Sequence, residues 1–164
     1  MQKIIQAERL NHIAQKVGFA IWQIQELEGA AAQFYVLVAL AQAGMGEEAG
    51  NALVDQAQNK TFGSTVNKLV KGDHLPEELK ERFTKFLSER NWLVHNSKAN
   101  SRNAIHHQNH FEDLIKKLEV IADEALALLS TLPGLSEDFL ISNDVDTSKA
   151  QAIANQKLKE WHEA

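Results

Sequence analysis

Apolar residues recur along this chain at intervals of three and four, the period of helices with one buried face, and no stretch alternates as a half-buried strand would. Ile4, Ile5, Leu10, Ile13, Ala14 and Val17 predict an opening amphipathic helix over Ile4–Val17, with Gly18 as a break unless the helix runs through it. A second stripe, Ala20, Ile24, Leu27, Ala31, Phe34 and Val38, predicts a helix from Phe19 to about Ala43. Its second half is apolar on nearly every side, which places it centrally, packed on two faces or against a second subunit. Gly29 within it costs about 1 kcal/mol relative to alanine, a loss that a close helix contact would offset. Gly44-Met45-Gly46 ends this helix, and a third, Glu47 to about Asn59, opens with carboxylates suited to the positive end of a helix dipole.

Thr61–Ser64 reads as a turn, with Ser64 capping a short helix through Val66, Leu69 and Val70. Pro76-Glu77-Glu78 is a strong start for the fifth helix, because proline suits the first turn and carboxylates suit its dipole. Leu79, Phe83, Phe86, Leu87, Leu93 and Val94 lie on one side of it, and fraying is expected near Asn96, with 96–103 as a polar surface loop. The longest clean stripe runs from Phe111 to Leu132 and is stopped by Pro133-Gly134. Beyond it, 135–146 reads as acidic and irregular, and Thr147 or Ser148 would cap a last helix through Ile153, Leu158 and Trp161. The expected architecture is an all-α bundle, with a helical domain over 1–134 and an acidic linker plus C-terminal helix over 135–164, packed on or extending from that domain.

Composition narrows the chemistry. A chain of 164 residues can bury a core without staples, and the absence of cysteine excludes disulfides, thiol nucleophiles and thiolate zinc sites and agrees with a reducing cytoplasm. No secretory signal is visible, and the most apolar window, 34–43, is too short to span a bilayer, so a soluble, cytoplasmic protein without membrane association is expected. The net charge of −5 argues against broad nonspecific nucleic-acid binding, which rests on many cations neutralising phosphates. One local exception stands out. From 85 to 102, Lys85, Arg90, Lys98 and Arg102 face only Glu89, so nucleic acid, if bound, is expected on this segment.

The same segment carries the candidate chemistry, in the run Arg90-Asn91-Trp92-Leu93-Val94-His95. At 100° per residue Arg90 falls on the core-facing stripe, where a permanently charged guanidinium requires a carboxylate, carbonyls, a phosphate or water. Asn91 and His95, four apart, stack on a neighbouring face. Cleavage of RNA needs a base for the 2′-hydroxyl, stabilisation of charge on the phosphoryl oxygens, and an acid for the departing 5′-oxygen. Histidine, with an ordinary pKa near ~6.5, serves as base or acid. Arginine holds phosphate oxygens in a planar fork, and asparagine orients nucleotide or histidine. One histidine supplies one of two proton-transfer roles, so two copies facing each other would complete the set.

Arginine and histidine in this spacing, with asparagine directly after the arginine, resemble the R-x4-6-H motif of the HEPN superfamily. Those are all-α domains, many of them metal-independent ribonucleases of toxin–antitoxin, phage-defence and CRISPR systems, usually dimeric with a composite site at the interface. The resemblance covers Phe19 to roughly Leu132 and implies a four-helix core with extra short helices, and a homodimer acting on RNA. It further implies Arg90 and His95 as catalytic, Asn91 as supporting, no metal or other cofactor, and an antitoxin or regulatory protein as a partner. In HEPN toxins modified by a partner nucleotidyltransferase a tyrosine follows the histidine by two positions, where this chain has Ser97. A second run, Arg102-Asn103-Ala104-Ile105-His106-His107, repeats the pattern across a loop and a helix start.

Plainer readings compete at each position. Arg90 can be a core-edge arginine paired with Glu26 or Glu28, and His95 a helix-end cation, leaving a noncatalytic helical module that binds a partner protein or RNA. On an ideal helix the two also lie ~140° apart. His106, His107 and His110 with Asp113 lack a clear third ligand and read better as solvated histidines than as a zinc site, although a metal-dependent enzyme would use them. Of the tryptophans, Trp22 is expected in packing and Trp92, away from the apolar stripe, at a dimer contact.

Overall fold

A computed structural model describes Met1–Glu163 and is all-α: among the described residues there are six α-helices and no strands. They are α1 (Gln2–Tyr35), α2 (Glu47–Gln58), α3 (Phe62–Lys71), α4 (Glu77–Ala104), α5 (Gln108–Ser142) and α6 (Ser148–Glu163), with a π-helical turn, Val36–Leu40, after α1. No helix of these is long and apolar enough to cross a membrane. The chain divides into two compact units, Met1–Leu132 and Pro133–Ala164.

In the first unit the core is built from the stripes read in the sequence. Ile13, Ala20, Ile24, Leu27, Ala31 and Phe34 of α1 are buried, as are Val66 and Leu69 of α3, Phe83, Phe86 and Leu93 of α4, and Leu118, Ile121, Ala125 and Leu128 of α5. Phe62 of α3 meets Phe86 edge to face with ring centroids 6.2 Å apart, a favoured aromatic geometry that joins α3 to α4. A smaller cluster of Ala32, Val36 and Ala57, with Leu53 and Val54 against it, seats α2. Polar ties flank the core. Lys16 bonds Glu119 at 2.6 Å and Arg82 grips Glu124 through Nε and Nη2 at 2.9 and 3.1 Å. Lys80 reaches Asp73 at 2.6 Å, and the Lys80 ammonium holds the Asp73 carboxyl below the usual carboxylate range.

Several element ends differ from expectation, each for a local reason. Gly18 does not break the first helix: α1 runs through it, and a single glycine costs only about 1 kcal/mol against the burial of Ile13 and Ala20 on either side. The regular helix then stops at Tyr35, and the π-turn closes with Ala41 N–H donating to Val36 O at 2.8 Å, before the expected Ala43. The cap of α3 is Thr61, whose side chain accepts the Ser64 amide at 3.2 Å, so Ser64 lies inside the first turn. The predicted loop 96–103 is helical. Ser97, Ser101 and Ala104 continue the inward stripe of α4 with small side chains, Ser101 Oγ donates to Ser97 O at 2.8 Å, and Arg9 of α1 donates to Ile105 O at 3.2 Å just beyond the end.

Pro133 also lies within a helix, because a proline removes one backbone donor without preventing the turns on either side. Within the second unit, Leu135–Ser142 is therefore helical, contrary to the irregular reading of 135–146. The chain turns through Asp144, at φ 55°, and Val145 N–H returns to Leu140 O at 3.0 Å. Asp146 Oδ1 takes the Ser148 amide at 2.9 Å as α6 begins, and the Ser148 hydroxyl and amide hold that carboxyl low. All described residues of α6 are exposed.

Glycines in α1 offer a direct test of this packing. A Cβ placed on Gly18 meets nothing within 4 Å, and one on Gly29 only the Gln58 side chain at 3.8 Å, so no close helix contact requires either residue. Gly18→Ala is expected to raise stability by about 0.5–1 kcal/mol in urea denaturation, the gain from removing a flexible residue from a helix interior.

Candidate functional site

Burial of Phe83, Phe86 and Leu93 fixes the rotation of α4, and that rotation decides where each motif residue projects. Arg90 falls at the edge of the buried stripe beside α1. Its Nε donates to Glu28 Oε1 at 2.8 Å and its Nη1 to Asn91 Oδ1 at 3.3 Å. Both side chains of the Arg90–Glu28 pair remain 27% exposed, so this is a rim pair and not an interior one. Of the two carboxylates considered from the sequence, Glu28 is the partner. Asn91 and His95 are exposed, and among the described residues His95 makes no hydrogen bond, ion pair or ring contact.

His95 is nine residues from buried Phe86, about 180° around the helix, so it stands on the outermost side of α4. Asn91, His95, Lys98 and Arg102, spaced by four, three and four, share this outward side and are all exposed. That spacing was present in the sequence, but it became a face only once the helix was known to continue past Asn96. Lys85 does not join it. It lies about 140° from Lys98 and lines a groove toward α5 with Arg82, Glu89, Asp113, Lys117 and Glu124, where acids and bases nearly balance. The basic segment expected over 85–102 is therefore split between two sides of one helix.

The tryptophans and the second arginine–histidine run take these places. Trp92, expected at a dimer contact, is half-buried, and Lys117 Nζ of α5 sits 3.6 Å from its ring centroid. Trp22, expected in packing, is 70% exposed. In the second arginine–histidine run, Arg102 belongs to the last turn of α4 and not to a loop, while Gln6 Nε2 donates to His106 Nδ1 at 3.1 Å and His107 stacks edge-on with His110 at 5.3 Å. Among the described residues no three His, Asp or Glu side chains converge on a metal position.

Chemically, the arrangement presents a guanidinium pinned at one end, an amide beside it, and an imidazole open to solvent. The pin contributes little to folding. A double-mutant cycle over Arg90→Ala and Glu28→Gln is expected to give a coupling of about 0.2–1 kcal/mol in thermal denaturation, the range of a solvent-screened pair. Compared with protein-family models, with characterised proteins and with solved structures, the chain matches none of them.

Proposed function

We propose that this chain is a metal-independent endoribonuclease of HEPN type, acting as a homodimer in a toxin–antitoxin or phage-defence setting. The observation that carries the reading is the way Arg90 is held: Glu28 takes Nε, Asn91 takes Nη1, and Nη2 has no bond among the described residues. A fork fixed at its base keeps its outer edge for an anion at the rim of the buried stripe, and because His95 lies about 140° further round α4 the proposed cleft wraps around the helix. In the proposed reaction neutral His95 accepts the 2′-hydroxyl proton as that oxygen attacks the adjacent phosphorus. Arg90 stabilises charge gathering on the phosphoryl oxygens, and the His95 of a second copy, protonated, delivers a proton to the departing 5′-oxygen. The products are a 2′,3′-cyclic phosphate and a free 5′-hydroxyl. Lys98 and Arg102, one and two turns further along the same side, supply positive charge for the flanking phosphates.

The second reading, a noncatalytic helical module that binds a partner protein or RNA, is favoured by the same ion pair, because Arg90 already has a carboxylate of its own chain. Purified Arg90→Ala/His95→Ala protein separates the two. On the nuclease reading it remains folded and dimeric and leaves RNA intact, while the parent releases fragments with cyclic phosphate ends. Equal RNA turnover by the two proteins would select the second reading.

A further inference from the structure

A second cationic region lies on α3, on the flank opposite its buried side. Phe62, Thr65, Val66 and Leu69 face inward, so Ser64, Asn67, Lys68 and Lys71, recurring at three and four, form the outward stripe. Tyr35 at the end of α1 stands beside this stripe, with Lys68 Nζ 5.2 Å from its ring centroid. Together with His74 these residues line an open groove of about 790 Å³. Its charged side chains are the lysines Lys68 and Lys71, and among the described residues no carboxylate lines it, in a chain whose net charge is −5. The nearest acid in sequence, Asp73, is already held by Lys80 at 2.6 Å. Gly72 contributes through its missing side chain: a Cβ there would collide with the His74 ring and sit 2.9 Å from Lys68 O, so glycine lets the imidazole lie against the end of α3.

Lysines, a histidine, a hydroxyl and an amide around a tyrosine ring are the components of a phosphodiester track with a stacking platform. Lysine and histidine neutralise phosphates, Ser64 and Asn67 donate to their oxygens, and the ring accepts one unpaired base. Stacking of this kind requires a base free of a duplex. We propose that the groove between Tyr35 and α3 binds single-stranded RNA; the choice of RNA among polyanions rests on the nuclease reading of α4.

The test separates the two ideas. Binding of a fluorescent single-stranded 2′-O-methyl oligonucleotide of about 10 residues, which lacks the attacking hydroxyl, reads the groove irrespective of cleavage. Cleavage of a dinucleotide, too short to occupy both places, reads α4 alone. Lys68→Glu/Lys71→Glu, both at exposed positions, is expected to weaken oligonucleotide binding about tenfold or more at low salt. The plot of log K against log salt should become shallower by about 1.4, for two phosphates. Dinucleotide cleavage should be unchanged. Tyr35→Leu is expected to weaken binding about five- to a hundredfold with the salt slope preserved. Equal binding by the parent and the double lysine variant would overturn the proposal. So would equally effective competition by polyglutamate, which would make the groove a site for acidic peptides. A parent that binds the oligonucleotide through these lysines yet cleaves nothing would leave the groove standing and remove the reading of α4.

Discussion

His95→Ala is expected to lower RNA cleavage by about 10²–10⁴-fold, the range lost when a proton-transferring group is removed. The expectation follows from where the imidazole is. It stands about 180° from Phe86, is exposed, and has no partner among the described residues, so its loss removes no packing and the variant should melt with the parent. A fall in rate without a fall in stability is what distinguishes a proton carrier from a helix-end cation. Arg90→Ala should cost about 10²–10³-fold, as for one donor to a developing oxyanion, whereas Lys85→Ala, on the other side of α4, should change little. Because the acid and the base come from different copies in this mechanism, activity should rise with the square of protein concentration below the dimer dissociation constant. Initial rates on a fluorogenic RNA over a dilution series measure both. Unchanged turnover in His95→Ala would remove the mechanism.

The parts of this molecule legible in its sequence are those where a large side chain repeats at helical spacing. Leu79, Phe83, Phe86 and Leu93 gave the buried side of α4, and Leu118, Ile121, Leu128 and Leu132 that of α5. Pattern reading failed where small residues carried the same stripe. Ser97 and Ser101 looked like loop composition, yet with Ala104 they continue the inward stripe, and the Ser101 hydroxyl bonds to the Ser97 carbonyl of the preceding turn. It also failed where one breaker was given too much weight, at Pro133, which does not outweigh the turns on either side, whereas at Gly18 the alternative left open, a helix running through, is the one observed. Of the site, the Arg90–Glu28 pair could be narrowed to two carboxylates by charge alone, while the choice between them depended on how α1 is rotated against α4. The groove beside Tyr35 was not legible, because its residues come from separate parts of the chain that meet only in the fold.

Phe83→Ala is expected to destabilise the first unit by about 3–5 kcal/mol, seen as a lower urea midpoint and a fall in Tm of about 2–4 °C per kcal/mol. Phe83 has no exposed surface and lies on the same side of α4 as Phe86 and Leu93, both 1% exposed. Truncation therefore removes apolar burial and leaves a space that neighbours close only in part. Trp22→Ala removes a larger side chain, but one that is 70% exposed, and should shift stability by no more than about 0.5 kcal/mol. The contrast asks whether size or burial sets the cost. It also bears on the site, because Phe83 lies seven residues before Arg90, two turns along the same side of α4, and the rotation it helps to fix is what brings the guanidinium to Glu28 and sends His95 outward. Loosening that anchor should therefore lower cleavage at temperatures well below the melting transition, whereas the tryptophan variant keeps both its fold and its rate.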